Sequence, residues 1–144
     1  MHDPQQLPQV GVGVVIWRGD EFLLVKRGKE PRAGQWSLPG GRQHFGETVR
    51  NTALREVAEE TGLTISEIKL LDVVNSITPG PSGDIEYHYT LVNFCADWQA
   101  GSAIAADDAA DLCWTTIDQL EAYDMWDETR RIIGLSASRR NLTP

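Results

Sequence analysis

Glu56, Glu59 and Glu60 lie within five consecutive residues, and their type and spacing could do chemistry. At about 100° per residue along a helix they fall within roughly a 100° sector of one face. No lysine sits among them. Like charges at three-and-four spacing cost an isolated helix about 0.2–0.5 kcal/mol per pair, so the arrangement costs stability unless something cationic lies on it. Carboxylate oxygens are hard ligands, and the cation that suits a cluster of them is Mg²⁺ or Mn²⁺. Arg55 is next door and can hold one carboxylate in position. A bare EVAEE run is also what a solvated acidic helix surface looks like, so the wider pattern must decide.

The element that would present these carboxylates is a helix. Ala53, Leu54, Val57, Ala58 and Thr61 recur at three-and-four spacing and predict an apolar stripe to bury. Thr48 is the predicted N-cap, and Glu47 beside it puts a negative charge at the positive end of the helix dipole. Gly62 supplies the stop in the left-handed conformation, with Leu63 folding back onto the last turn.

The full stretch from Gly41 to Leu63 reads glycine, five residues, glutamate, seven residues, Arg-Glu, an aliphatic, any residue, Glu-Glu, any residue, glycine, an aliphatic. Gly41, Glu47, Arg55, Glu56, Val57, Glu59, Glu60, Gly62 and Leu63 fill every fixed position. A chance match in a chain this long is on the order of one in ten million, which sets the solvated-face reading aside. The sequence resembles the Nudix hydrolases, and Trp36-Ser37-Leu38-Pro39-Gly40 before the motif resembles them too. The resemblance implies that Glu56, Glu59 and Glu60 ligate Mg²⁺ or Mn²⁺, with Glu59 alternatively a proton acceptor. It implies that Arg55 orients a carboxylate, that Glu47 supports the site from behind, and that the Gly40 carbonyl completes the metal shell. The general base is open, because family members draw it from the motif or from a loop outside it. Asp107 and Asp108 are the loop candidates, Asp108 foremost, against the simpler reading of an acidic loop capping a strand.

Cations beside the motif are the candidates for substrate contacts. Arg27, nearest a strand end among the four between Lys26 and Arg32, and Arg42, just after the glycine pair, could meet phosphates or be solvated. His44 reads as an ordinary loop residue. Tyr87, Tyr89 and Trp98 read first as core or sheet-surface aromatics, with stacking on a base the sharper alternative. Trp114 reads as a packing residue.

A chain of 144 residues with 41% hydrophobic and 24% charged residues suits one soluble domain with its own core. A net charge of −8 argues against nucleic acid, whose partners need basic surface to replace released counterions. An acidic protein can still take a small anionic substrate if divalent metals bridge the two. The polar start MHDPQQLPQ is neither signal peptide nor membrane anchor, and Cys95 and Cys113 sit in apolar strand patterns as reduced thiols. Together these point to the cytoplasm.

Strands are expected over Val10 to Trp17, Phe22 to Val25, within Ile65 to Ile77, over Ile85 to Phe94 and over Leu112 to Thr116, with Ala96 to Ala110 as a loop. A helical segment from Ile117, with Trp126 to Leu135 able to pack on the sheet, ends the chain, and residues 1–8 and 137–144 read as flexible. This order suits a single α/β domain over 1–144, the three-layer α/β/α sandwich with a mixed sheet that the resemblance implies. The implied function is metal-dependent cleavage of a nucleoside diphosphate linked to another moiety, with ADP-ribose or a similar nucleotide sugar foremost. The alternatives are a MutT-like nucleoside triphosphate pyrophosphatase and a silent nucleotide-sensing module. An isoprenoid-diphosphate isomerase would need a cysteine and glutamate pair that neither cysteine's neighbourhood offers. Oligomeric state is not legible in these residues.

Overall fold

The structure is a computed structural model and describes residues 6–104 and 109–140. Its centre is β1 (Gln9–Arg18), in which eight of ten residues are apolar or glycine. Val12, Val14 and Ile16 point to one side of the sheet and Val15 and Trp17 to the other, and all five are buried. A strand covered on both faces loses the usual polar alternation, which is why this run reads as continuously hydrophobic. β1 turns at Gly19, φ 64°, into β2 (Glu21–Arg27), pairing antiparallel through Trp17↔Phe22.

Around this pair the remaining strands form a mixed sheet. β3 (Trp36–Ser37) and β8 (Ala109–Thr116) pair with β2, β4 (Gly40–Arg42) pairs with β1, and β6 (Lys69–Pro79) and the short β5 (Thr64–Ile65) pair with β7. The long β7 (Ile85–Ala100) runs parallel to β1 from Gln9↔Tyr89 to Trp17↔Asp97 and antiparallel to β6. A long aromatic and β-branched strand at the sheet centre matches the sequence expectation. Its length does not, since β7 continues six residues beyond Phe94 and β8 begins at Ala109, so the segment read as a loop from Ala96 to Ala110 is strand at its two ends. Trp98 shows how that extension is held: its indole N–H donates to the Gly101 carbonyl at 2.8 Å, and Ile65 pairs with it across the edge.

Helices cover the two faces. α1 (Val49–Thr61) packs Ala53 and Val57 on Val12, Val14, Ile16 and Phe94, while α2 (Asp127–Arg139) packs Ile132, Ile133 and Ala137 on Val15, Trp17, Phe22 and Leu24. The result is the expected three-layer α/β/α arrangement. α2 runs three residues into the segment read as tail. Ala137 is buried there, and Ser136 accepts the Trp17 indole N–H at 2.8 Å, so packing extends the helix past its last large apolar residue. The α1 stripe also shifts: Thr52, Ala53, Val57 and Thr61 are buried, whereas Leu54 is 46% exposed and Ala58 faces solvent. That rotation turns Glu56 and Glu60 toward the sheet edge.

Candidate active site

The caps of α1 set the register of its acidic residues. Thr48 Oγ1 accepts the Asn51 N–H at 3.1 Å, and Gly62, at φ 75°, ends the helix with its N–H on the Ala58 carbonyl. Both are the caps expected from sequence. From this helix the side chains of Arg55, Glu56, Glu59 and Glu60 meet β4 and the loop carrying Glu47 at one end of a cleft of about 1580 Å³.

Arg55 is the hub of the cluster. Its Nε and Nη2 form a fork on the two oxygens of Glu47 at 2.7 and 3.0 Å, its Nη1 reaches Glu56 Oε1 at 2.6 Å and Glu59 Oε2 at 3.1 Å, and Nη2 also donates to the Arg42 carbonyl at 2.9 Å. A guanidinium has five N–H donors, and here each has an acceptor. One positive charge thus serves three carboxylates, which leaves the cluster negative overall. Glu56 and Glu59 each keep a second oxygen outside these bonds. Glu60 accepts the Gly40 N–H at 3.1 Å.

Glycine at position 41 is what admits Glu56. A Cβ built there would land inside the Glu56 carboxyl group, so the side chain lies directly on the bare backbone of β4. Gly41→Ala is therefore expected to push Glu56 out of place and lower activity about 100-fold, since displacements of about 1 Å at a reacting centre have that size. An unchanged rate in Gly41→Ala would remove this role for the glycine. Gly40, the neighbouring glycine, meets the helix through its backbone N–H. Val14 N–H to Pro39 O and Gln43 N–H to Val10 O fix the register of β4 on β1, and a Cβ at Gly40 would collide with the Val12 carbonyl, so this position too needs glycine.

Electrostatics divide the carboxylates. Arg55, and then the His44 backbone N–H, hold Glu47 down to about 2 from an ordinary 4.5. Burial pushes Glu56 up, with Glu59 adding to the rise and Arg55 opposing it. A depressed folded-state value contributes stability that is full above the unfolded 4.5 and is lost as pH falls toward 2. Melting temperature is accordingly expected to drop across that acid window in the parent and to drop less steeply in Glu47→Gln. Equal slopes in the two proteins would contradict the Arg55–Glu47 coupling.

A family model, the NUDIX domain, matches residues 7–134. The chain belongs to the Nudix family of hydrolases. It is similar to the "ADP-ribose pyrophosphatase" of Methanocaldococcus jannaschii, 38% identical over 102 residues covering 71% of this chain and 58% of that protein. It is also similar to the "Putative 8-oxo-dGTP diphosphatase 2" of Mycobacterium tuberculosis, 35% identical and covering 82% of this chain and 80% of that one. Among solved structures, the MutT NUDIX hydrolase from Burkholderia pseudomallei superposes with a TM-score of 0.75 at 29% identity, over 90% of this chain and 98% of that one.

In this Nudix chain the remaining expected site residues divide by position. Arg27 and Arg42 line the cleft, Arg27 with its Nε on the Pro31 carbonyl at 2.7 Å and Arg42 with Nη1 on Gln9 Oε1 at 3.0 Å. His44 lines it too, contributing its backbone N–H to Glu47 rather than its ring. Of the three strand aromatics only Tyr89 reaches the cleft wall. Asp107 and Asp108 lie outside the described residues. Cys113 sits with its Sγ 3.1 Å from Tyr123 Oη and Cys95 lies against the α2-side core, both as free thiols outside the cleft lining, so the cysteine chemistry of an isomerase has no support there. Trp114 is more than packing, since the Arg18 guanidinium rests 4.0 Å over its ring. Trp126 packs on the α2-side core as its apolar spacing suggests and also lines the cleft, and so does Arg32, which the sequence ranks below Arg27 among the loop cations that could meet phosphates. Among the described residues no helix is long and apolar enough to cross a membrane.

Proposed function

We propose that this chain is a Mg²⁺- or Mn²⁺-dependent pyrophosphohydrolase acting on a nucleoside diphosphate joined to a second moiety, with ADP-ribose or a related nucleotide sugar foremost. The observation that carries the reading is the convergence of Glu47, Glu56 and Glu59 on one guanidinium, with Glu60 beside them on the Gly40 N–H, all lining a cleft large enough for a nucleotide. As it stands the cluster is tied by Arg55 and the Gly40 N–H, and among the described residues no three ligating side chains are already gathered on one point. The donors nonetheless suit a hard divalent cation: all are oxygens, two carboxylates have an oxygen to spare, and burial of Glu56 is relieved by positive charge. Glu56, Glu60, Glu59 and the Gly40 carbonyl would hold it. Such an ion neutralises the diphosphate and makes water nucleophilic at neutral pH.

The chain's own residues supply the rest. Glu59, at 48% side-chain exposure the most open of the three, would in its alternative role leave the metal shell to the others and accept a proton from water. Glu47 acts through Arg55, holding the guanidinium so that Glu56 and Glu59 keep their spacing. Arg27 and Arg42 offer positive charge to phosphate oxygens along the wall. We assign the whole described chain to one catalytic domain, working as a soluble cytoplasmic protein on a small substrate.

Likeness to the M. jannaschii protein supports an ADP-ribose-type substrate, while likeness to the M. tuberculosis protein favours a nucleoside triphosphate as second reading. A panel of ADP-ribose, dinucleotides, sugar nucleotides and ordinary and oxidised nucleoside triphosphates, assayed with Mg²⁺ and Mn²⁺, separates them. AMP with ribose 5-phosphate as products supports the first, and pyrophosphate release supports the second. Binding without any product would overturn both in favour of a sensor.

A further inference from the structure

The end of the cleft away from the carboxylates is built around Arg32. It lies in the loop joining β2 to β3, which reaches across to β6 and the start of α2. In the sheet β6 is separated from β4 by β1 and β7, about 14 Å at the usual strand spacing. That leaves room for a nucleoside between the two ends.

Three features fix the guanidinium. Its Cζ lies over the Trp126 ring, 3.8 Å from the centroid. Nη1 and Nη2 both donate to Ser76 Oγ at 3.2 Å, and Ser76 is 1% exposed. The backbone at Arg32 has φ 63°, a conformation that residues with a Cβ adopt only when surrounding contacts hold them there. No carboxylate pairs with Arg32 among the described residues, and burial together with neighbouring Arg27 pushes its pKa down. Arg32 lines the cleft together with Trp126, Gly11, Leu38 and Leu91. In the same loop Gln35 Oε1 is buried with no donor among the described residues, so this wall has an acceptor to offer as well.

We propose that Arg32 is a specificity-determining residue: held over Trp126 by Ser76, it is the platform on which the substrate's nucleobase stacks, completing a ring–guanidinium–ring sandwich while the phosphates extend to the carboxylates. The inference rests on the pyrophosphohydrolase reading above. Aromatic faces attract a cation, and a guanidinium plane stacks on bases as an ammonium cannot. Because every base has such a face, the platform selects nucleotides over base-free diphosphates and discriminates weakly among bases.

The test compares AMP with ribose 5-phosphate, which keeps the phosphate and sugar and lacks the base, by calorimetry without divalent metal. The parent is expected to bind AMP at least about tenfold more tightly than ribose 5-phosphate. Arg32→Lys, which keeps the charge and loses the plane, is expected to erase most of that advantage, and Trp126→Leu to reduce it. With ADP-ribose, Arg32→Lys should raise KM about tenfold and leave kcat within twofold. An AMP advantage retained in Arg32→Lys would overturn the proposal, and so would equal weakening of both ligands, which would make Arg32 a phosphate contact. Base-dependent binding in a parent that hydrolyses nothing would sink the hydrolase reading and leave the platform standing. Hydrolysis with base-indifferent binding would sink the platform alone.

Discussion

Glu60→Gln and Glu56→Gln are each expected to lower turnover about a thousandfold, roughly 4 kcal/mol in the barrier, with little change in the melting curve. The two carboxylates differ in their surroundings but not in this expectation. Glu60 accepts the Gly40 N–H, which a glutamine oxygen can still do, and Glu56 accepts from Arg55 on the Gly41 surface. Amide replacement keeps shape and these contacts while removing the charge that would hold a divalent ion. Steady-state kinetics across a Mg²⁺ titration, with thermal melts alongside, check it. Turnover within tenfold of the parent at saturating Mg²⁺ would remove the proposed mechanism. A collapsed melting curve would instead give these glutamates a structural part.

Arg55→Gln is expected to act on both activity and stability. Without the guanidinium, Glu47, Glu56 and Glu59 lose their shared cation. Activity or metal affinity should fall about 10–100-fold, the usual cost of removing a residue that orients ligands, and the melting temperature should fall as well. Mg²⁺ should recover part of the lost melting temperature, because a bound ion replaces the missing charge. Arg55→Lys should not restore activity: an ammonium has three donors and no fork, and the site presents five acceptors in fixed places. If lysine restores the parent rate, the fork is not what matters. A Mg²⁺-independent melting temperature in Arg55→Gln would count against ion binding at this cluster.

Much of the site was legible because its parts are close in sequence. The Thr48 and Gly62 caps and the Arg55–Glu59 pair are relations within one helix, fixed by 3.6 residues per turn. Orientation around the helix axis was less legible. The spacing of Leu54 and Ala58 fits an apolar stripe as well as that of Thr52 does, yet the sheet covers Thr52 and leaves Leu54 and Ala58 outside. Strand ends were misplaced for a related reason. Residues 95–100 carry few strong strand formers, and pairing with β5, β6 and the β1 end holds them extended.

Residue order alone determined the family, the cap-to-cap register of α1 and the choice of acidic side chains, since each is a matter of which side chains stand at fixed intervals along one segment. Only the folded chain decided that Glu56 lies on the bare backbone of Gly41, that one guanidinium serves three carboxylates, and that Arg32 meets Trp126 and Ser76 in the cleft wall. Those contacts join residues up to 94 positions apart, from 32 to 126. Local periodicity carries no information at that range, because the meeting depends on how strands and helices stack and not on any interval along the chain.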